Sequence, residues 1–171
     1  MDVGDIGFAL ASCFTLFILM LIGIADHKFL IIPDQFTMAL AICGIGFLPY
    51  HLKQAAIAKA IDGNASYIAT HGFMSPILGA LAAAAIFLTI AFLAKLIFKQ
   101  ESLGFGDVKL MLSVGIIIGI YKIVAFIVAV AFLSAIESAF KLITKKAKAS
   151  DHQALGDIIA IVCAFYVLVL Y

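Results

Sequence analysis

Two aspartates stand at the ends of apolar segments, where a carboxylate is costly unless it meets water or a partner. Asp26 follows the first long apolar run, and Asp107 closes the tetrapeptide Gly104-Phe105-Gly106-Asp107 and opens a later apolar run. Two carboxyl groups a few ångströms apart cannot easily both ionise, so one proton is shared and the pair supplies an acid and a base. Such a pair can activate a water molecule and protonate a carbonyl without a metal or a covalent intermediate. The two residue types therefore predict hydrolysis of a peptide bond, provided that the fold brings them together.

The glycines before Asp107 suit this chemistry. Gly104 and Gly106 lack side chains, so the backbone can take unusual dihedral angles and an extended substrate can approach Asp107 closely. A lone Gly-x-Gly-Asp sequence is also an ordinary turn and helix cap. Here the tetrapeptide opens an apolar span, and the topology argued below places a second aspartate on the same membrane face.

Other acidic residues near apolar segments have structural interpretations. Asp34 follows Pro33 and is expected to cap the second helix. Glu137 precedes Lys141 by four residues, a spacing that lets the two pair on one helix face, with a supporting polar role at the site as the alternative. Asp157 is expected at the outer entrance of the last span, in a capping or interfacial role.

The elements that must position these acids are membrane helices. Hydrophobic residues make up 65% of the 171 residues and charged residues 12%, whereas soluble domains are close to half apolar and a quarter charged. The apolar surface must face lipid, so we expect residues 1–171 to form a single transmembrane domain. A net charge of +1 without a dense basic block gives no reason to expect nucleic-acid binding.

The three cysteines lie singly inside apolar runs, at positions 13, 43 and 163, without paired spacing or nearby histidines. We expect them to be small buried hydrophobic residues. Neither a metal site nor a cofactor is therefore expected.

Six segments are candidates to cross the bilayer, which requires about 20 apolar residues, or fewer where helix ends are packed in protein. An all-α bundle of six transmembrane helices is predicted, at residues 6–25, 36–48, 74–94, 110–121, 123–142 and 154–171. Residues 49–73, between the second and third spans, are expected to form a short surface helix followed by a turn.

The lysines give the orientation of these spans, because cytoplasmic loops carry the positive excess. All eleven basic residues are lysines, and six crossings place eight of them on one side and three on the other. The first, third and fifth loops are therefore expected in the cytoplasm, with both termini outside. This topology puts Asp26 and Asp107 on the cytoplasmic face.

Two segments resemble the signature motifs of the type IV prepilin peptidases, a branch of the GxGD membrane aspartic proteases. DHKFLIIPD at residues 26–34 is similar to the D-x6-P-[DN] segment, and GFGDVKL at residues 104–110 is similar to the GxGDxKL segment. The resemblance extends over nearly the whole chain and also fits six spans. It implies the following site residues: Asp26 and Asp107 as the catalytic pair; Gly104, Phe105, Gly106 and Lys109 beside the substrate; and Pro33 and Asp34 as structural residues near the site.

The resemblance also implies an activity. Members of this family remove a short basic leader from prepilin-like precursors at the cytoplasmic face of the inner membrane, next to the apolar segment of the precursor. The chain lacks the length and the paired cysteines of members that also methylate the product, so it resembles the short, peptidase-only form of Flp/Tad pilus systems. One departure is at the last span, which opens with Ala-Leu-Gly-Asp at residues 154–157 where long members have Pro-Phe-Gly-Pro.

Several alternatives remain at the level of sequence. Paired membrane carboxylates also occur in small proton- or cation-coupled transporters, and a structural assembly subunit would make no chemical use of them. Lys109 can anchor the helix at the membrane interface or contact an acidic group of the precursor. The oligomeric state is left open. For the two acids, helix position predicts that Asp107, at a helix N-terminus, is the better base, and that Asp26, at a helix C-terminus, favours the neutral form.

Overall fold

The computed structural model describes residues 3–62, 72, 74–98, 104–143 and 155–170. These residues form seven α-helices and no strand: α1 (Val3–Phe29), α2 (Asp34–Ile45), α3 (Leu48–Asp62), α4 (Met74–Phe98), α5 (Phe105–Ile118), α6 (Ile120–Ile143) and α7 (Leu155–Leu170). The predicted all-α class is confirmed, and every predicted span falls largely on a helix.

The length of these helices separates them into two groups. Within the described part of the chain, four stretches are long and apolar enough to cross a membrane: Ile6–Phe29, Asp34–Ile57, Met74–Leu93 and Ile120–Phe140. α7 contributes a shorter apolar stretch, Leu155–Val169. α5 has 14 residues and is therefore about 21 Å long, which is less than the roughly 30 Å hydrocarbon layer. These four long apolar stretches are typical of a membrane protein.

α5 is short because protein rather than lipid surrounds it. It packs against α2, α4, α6 and α7. Leu110, Met111, Val114 and Ile117, which lie on successive turns of α5, are all fully buried. A helix enclosed by its neighbours need not itself match the thickness of the bilayer.

A glycine pair sets the close crossing of α4 and α5. A Cβ on Gly79 would lie 2.5 Å from the carbonyl oxygen of Gly115, and a Cβ on Gly115 would lie 2.6 Å from that of Gly79. Small residues of this kind let membrane helices approach until their backbones touch. The crossing fixes α5, the helix that carries Asp107 in its first turn.

α5 and α6 are separated by a single residue, Gly119. Its φ of 74° lies in the left-handed region that favours glycine. The break leaves helix-end polar groups without intrahelical partners, and side chains from two other helices satisfy them. His51 Nε2 lies 3.0 Å from the carbonyl oxygen of Ile117, and the N–H of Ile120 donates to Ser75 Oγ over 3.3 Å.

These contacts correct the expectation of a surface helix after the second span. The predicted helix is present as α3, but His51 and Ala55 on it are buried, because α3 packs over the break at Gly119. Residues 63–71, where the turn was expected, lie outside the described part of the chain.

Two other expectations have mixed outcomes. Cys163 is buried as predicted and Cys43 is partly buried, but Cys13 is exposed on the outer surface of α1, the surface that lipid would cover. The expected pairing of Glu137 with Lys141 is not tested, because the Lys141 side chain is outside the described residues.

Leu30, directly after the last residue of α1, has a strained backbone conformation. Its N–H donates to the carbonyl oxygen of Asp26 over 2.9 Å, and its φ is 52°, a left-handed conformation that costs a residue with a Cβ about 1–2 kcal/mol. Glycine at this position relieves the strain, although the unfolded chain gains entropy. We expect Leu30→Gly to raise the free energy of unfolding by about 0.5–1 kcal/mol, measured by thermal unfolding in detergent.

The matched control for this prediction is Ile31→Gly. Ile31 is also exposed, but its φ is not positive, so glycine there only adds unfolded-state entropy. Leu30→Gly should unfold at a higher temperature than Ile31→Gly. Equal destabilisation by both substitutions would show that Leu30 is not strained.

Candidate active site

Asp26 lies in the last turn of α1 and is only 5% exposed. Its Oδ2 accepts a hydrogen bond of 3.1 Å from the backbone N–H of Asp157, in the first turn of α7. The end of α1 thus meets the start of α7, the helix against which it packs. Free N–H groups at a helix N-terminus favour negative charge, so α7 supports the charged form of Asp26 against the cost of its burial.

Asp107 lies in the first turn of α5 and is partly buried. Its Oδ2 accepts a hydrogen bond of 3.3 Å from the N–H of Gly104. Burial, reinforced by the nearby charge of Asp26, raises the pKa of Asp107 to about 6, although the Gly104 hydrogen bond acts in the opposite direction. Two acids that are distant in the sequence are thus brought close enough for one to affect the ionisation of the other.

Ile32 packs between the backbones that carry the site. A Cβ on Gly156 would lie 2.8 Å from Asp26 Oδ2 and 2.8 Å from Ile32 Cδ1, and a Cβ on Gly106 would lie 3.3 Å from Ile32 Cβ. Both glycines therefore make room for Ile32, which is itself buried. The loop after α1 is held between the starts of α5 and α7.

The two glycines predicted beside the substrate have different surroundings. The space beside Gly106 is occupied by Ile32, so its lack of a side chain serves packing. Among the described residues, a Cβ on Gly104 would meet Asp107 Oδ2, at 3.5 Å, and the backbone nitrogen of Gly106, at 3.9 Å. Gly104 is exposed, as is the adjacent Phe105 ring, so these two residues leave Asp107 approachable from one side.

Asp34 does not cap α2, and this expectation is wrong. Pro33 occupies the N-cap position, with φ −65° and ψ 131°, and α2 begins with Asp34 itself. The Asp34 carboxylate instead accepts hydrogen bonds from Lys109 Nζ on both oxygens, each at 2.8 Å. Proline takes the cap position because its fixed φ suits the entry to a helix, which leaves the aspartate side chain free to reach α5.

The ion pair of Asp34 and Lys109 is accompanied by a second polar contact between α2 and α5. The second is buried, with Ser113 Oγ donating to the carbonyl oxygen of Thr37 over 2.8 Å. Lys109 Nζ also lies 5.3 Å from the centre of the Phe105 ring. Lys109 therefore joins α5 to α2 through Asp34. Neither of the roles expected from the sequence, membrane anchoring or precursor binding, includes this contact.

The stabilisation from this ion pair is expected to be small, because both side chains are substantially exposed, 39% for Lys109 and 65% for Asp34. A double-mutant cycle of Asp34→Asn and Lys109→Met should give a coupling free energy of about 0.2–1 kcal/mol by thermal unfolding. The coupling should shrink in high salt, which screens exposed charges. A coupling well above that range, or one insensitive to salt, would contradict the exposed geometry.

Asp157 is the residue of the site that sequence reasoning misplaced. It was expected at the outer entrance of the last span, but it lies beside Asp26, and its Oδ2 is 3.3 Å from His27 Nδ1. The expectation was wrong because α7 starts where α1 ends. It also conflicted with the lysine topology, in which a cytoplasmic fifth loop puts the start of the last span on the same face as Asp26. The sequence did contain a signal: Gly156-Asp157 opens an apolar helix just as Gly106-Asp107 does.

Helix position alone does not decide which of the two acids is the better base. A helix N-terminus contributes about 0.3–1 kcal/mol to an anion, and one pKa unit corresponds to 1.36 kcal/mol. Burial and the charge of Asp26 outweigh that contribution at Asp107, whose pKa rises to about 6. Asp26 ends its own helix but faces the N-terminus of α7. The helix ends therefore no longer favour Asp107 as the base.

Chemically, the arrangement offers carboxyl groups and little else that is reactive. Among residues 3–62, 72, 74–98, 104–143 and 155–170, no three side chains of His, Cys, Asp or Glu are grouped so as to hold a metal ion. Asp26 lies close enough to Asp107 for its charge to affect the ionisation of Asp107, as acid–base catalysis by a carboxyl pair requires.

Comparison with known proteins gives one match. No curated protein matches the chain, and no solved structure does. The model of the type IV leader peptidase family matches residues 13–139, which include both Asp26 and Asp107. Because this match covers well over half of the chain and agrees with the resemblance drawn from its two motifs, the protein belongs to the type IV leader peptidase family.

Proposed function

We propose that this protein is an aspartic endopeptidase that removes the basic leader from prepilin-like precursors of the Flp/Tad type. Asp26 and Asp107 are its catalytic pair. The observation that carries the proposal is the pairing itself: two acids from separate helices lie at one end of the bundle, where burial, reinforced by the nearby charge of Asp26, raises the pKa of Asp107 to about 6.

The surroundings of the two acids support different roles for them. Asp26 faces the N-terminus of α7 and acts as the charged base, which takes a proton from water as the water oxygen attacks the carbonyl carbon of the scissile bond. Asp107, with its raised pKa, holds the shared proton and donates it to the carbonyl oxygen. When the tetrahedral intermediate collapses, the leaving amine takes up the proton that Asp26 accepted, and Asp107 recovers its own proton from the hydroxyl group.

The membrane arrangement that we propose has six crossings, with the site on the cytoplasmic face of the inner membrane and both termini outside. α2 and α3 together make the second crossing, since Asp34–Ile57 is apolar over 24 residues. α5 and α7 make the fourth and sixth. The lysine distribution supports the orientation, because the loops next to Asp26 and Asp107 belong to the lysine-rich side.

Coexpression with an epitope-tagged Flp-type prepilin tests the proposal. The wild-type protein should shift the prepilin to a faster-migrating form, and mass spectrometry should locate the cut between the basic leader and the apolar segment. An unprocessed prepilin, with the membrane protein present at normal levels, would refute this function. A proton- or cation-coupled transporter would then be the remaining hypothesis.

A further inference from the structure

A groove of about 410 Å³ runs along the surface of the bundle between α1 and α7. Leu16, Met20 and Gly23 form its α1 wall, and Ala160 and Ala164 form its α7 wall. Along α1 these residues recur every three or four positions, so the groove follows the helix axis. From Leu16 to the last lining turn at His27 it is about 16 Å long.

The membrane setting restricts what can fill this groove. Both walls belong to apolar helices that the proposed arrangement places in the bilayer, where an occupant cannot hydrogen-bond to water and must satisfy its own backbone. An α-helix does so. The small residues Gly23, Ala160 and Ala164 leave room for a helix to approach closely, as small residues do at membrane helix interfaces.

The polar end of the groove specifies which end of a helix would lie there. Asp157 lines that end, together with His27 and Lys28. Its Oδ2 lies 3.3 Å from His27 Nδ1, and its side chain is 19% exposed. The first turn of a helix carries free N–H donors and favours a nearby negative charge, so the Asp157 carboxylate favours a helix N-terminus at this end of the groove.

This polar end is also next to the candidate catalytic residue. The backbone N–H of Asp157 donates to Asp26 Oδ2. A helix whose first turn contacts the Asp157 side chain would therefore begin close to Asp26. The peptide that precedes such a helix would enter the site.

Building on the proposed function, we propose that the groove between α1 and α7 seats the apolar helix of the precursor, with its N-terminal turn against Asp157 and the scissile peptide bond at Asp26. The groove then selects the junction between a leader and an apolar helix, since the start of the seated helix fixes which bond reaches the acids. The expected ligand is an apolar helix of a second protein, which enters the groove from the bilayer.

Photocrosslinking tests the seating independently of cleavage. A benzophenone amino acid is placed at Met20 in the groove, or at Phe132 on α6 as a control with the same 64% exposure, both in an Asp107→Asn background. With an epitope-tagged prepilin in the same membranes, the Met20 probe should capture the apolar helix of the prepilin at least about fivefold more than the Phe132 probe. Capture of lipid alone at Met20, or equal capture at both positions, would overturn the proposal.

Filling the groove provides the second test. Ala164→Phe places a ring in the groove, whereas Ala131→Phe adds the same ring to the exposed surface of α6. Ala164→Phe should raise the KM for the tagged prepilin at least about tenfold, which is about 1.4 kcal/mol, with kcat nearly unchanged; Ala131→Phe should change neither. Unchanged KM in Ala164→Phe would overturn the seating.

These two tests separate this inference from the proposed function. Suppose that the wild-type protein cleaves the prepilin, but crosslinking is equal at Met20 and Phe132 and Ala164→Phe leaves the KM unchanged. The proposed peptidase activity is then supported, and the binding of the precursor helix in the groove is refuted. Suppose instead that the wild-type protein does not cleave the prepilin, although the Met20 probe still captures its apolar helix. Binding of that helix in the groove is then supported, and the peptidase activity is refuted.

Discussion

Asparagine at position 107 is expected to lower the rate of leader cleavage by about 10²–10⁴-fold, the usual contribution of a general acid or base. An amide keeps the size of the Asp107 side chain but cannot hold the proton that the carbonyl oxygen must receive. Asp26→Asn should be as damaging, because an amide cannot take a proton from water. Rates are measured with purified protein and tagged prepilin in liposomes.

The control for both substitutions is Asp62→Asn, a change of the same kind on α3. It should leave the cleavage rate close to that of the wild type, because the proposed mechanism gives Asp62 no part in proton transfer. Thermal unfolding of all three variants shows whether a lost activity reflects lost folding. A folded Asp26→Asn or Asp107→Asn protein that cleaves at the wild-type rate would remove that residue from the catalytic pair.

Gly156→Ala is expected to lower cleavage by about a hundredfold, the cost of misplacing a catalytic group by about 1 Å. The added Cβ would stand 2.8 Å from Asp26 Oδ2, inside van der Waals contact, so the carboxylate must move away from the start of α7. Because the tip of the Asp26 side chain and the Ile32 methyl group can shift, we expect the free energy of unfolding to fall by only about 1–2 kcal/mol. The measurement pairs cleavage rates with thermal unfolding.

Gly7→Ala is the matched control for this substitution, since a Cβ at Gly7 would have no described residue within 4 Å. It should preserve both the cleavage rate and the stability. If Gly156→Ala retains full activity, the contact between Asp26 and the start of α7 has no part in positioning the base.

The pair of acids could be identified from the sequence because each interrupts a strong apolar pattern. Asp26 and Asp107 stand at span ends, and the lysine count alone assigns both to one face. Asp157 interrupts the pattern in the same way, and the cytoplasmic fifth loop assigns it to that face as well, yet its partner could not be predicted. Its importance depends on α1 packing against α7, a contact between segments 131 positions apart that no local spacing specifies.

Local rules failed where tertiary contacts were stronger. An aspartate after proline is a reasonable helix cap by sequence, but Asp34 pairs with Lys109, 75 positions away. A helix N-terminus favours an ionised Asp107, but burial and the charge of Asp26 dominate its pKa. In both cases the sequence indicated which residue mattered, and only the fold determined what it contacts.

The helices were predicted well where apolar length decides and less well where packing does. α1, α4 and α6 are long apolar runs and were predicted within a few residues. α5 was ambiguous because its 14 residues are too few to span lipid. It is a helix because α2, α4, α6 and α7 enclose it, which cannot be inferred from its own residues.

The central claim is that Asp26 and Asp107 act on one proton as a pair. Infrared titration of the Asp107 carboxyl group, identified by difference from Asp107→Asn, tests it directly in the wild-type protein and in Asp26→Asn. We expect a pKa of about 6 for Asp107 in the wild-type protein. Removing the charge of Asp26 should lower that pKa, but not to its ordinary value, because Asp107 stays buried. A pKa of Asp107 that is the same with and without the Asp26 charge would contradict the pairing.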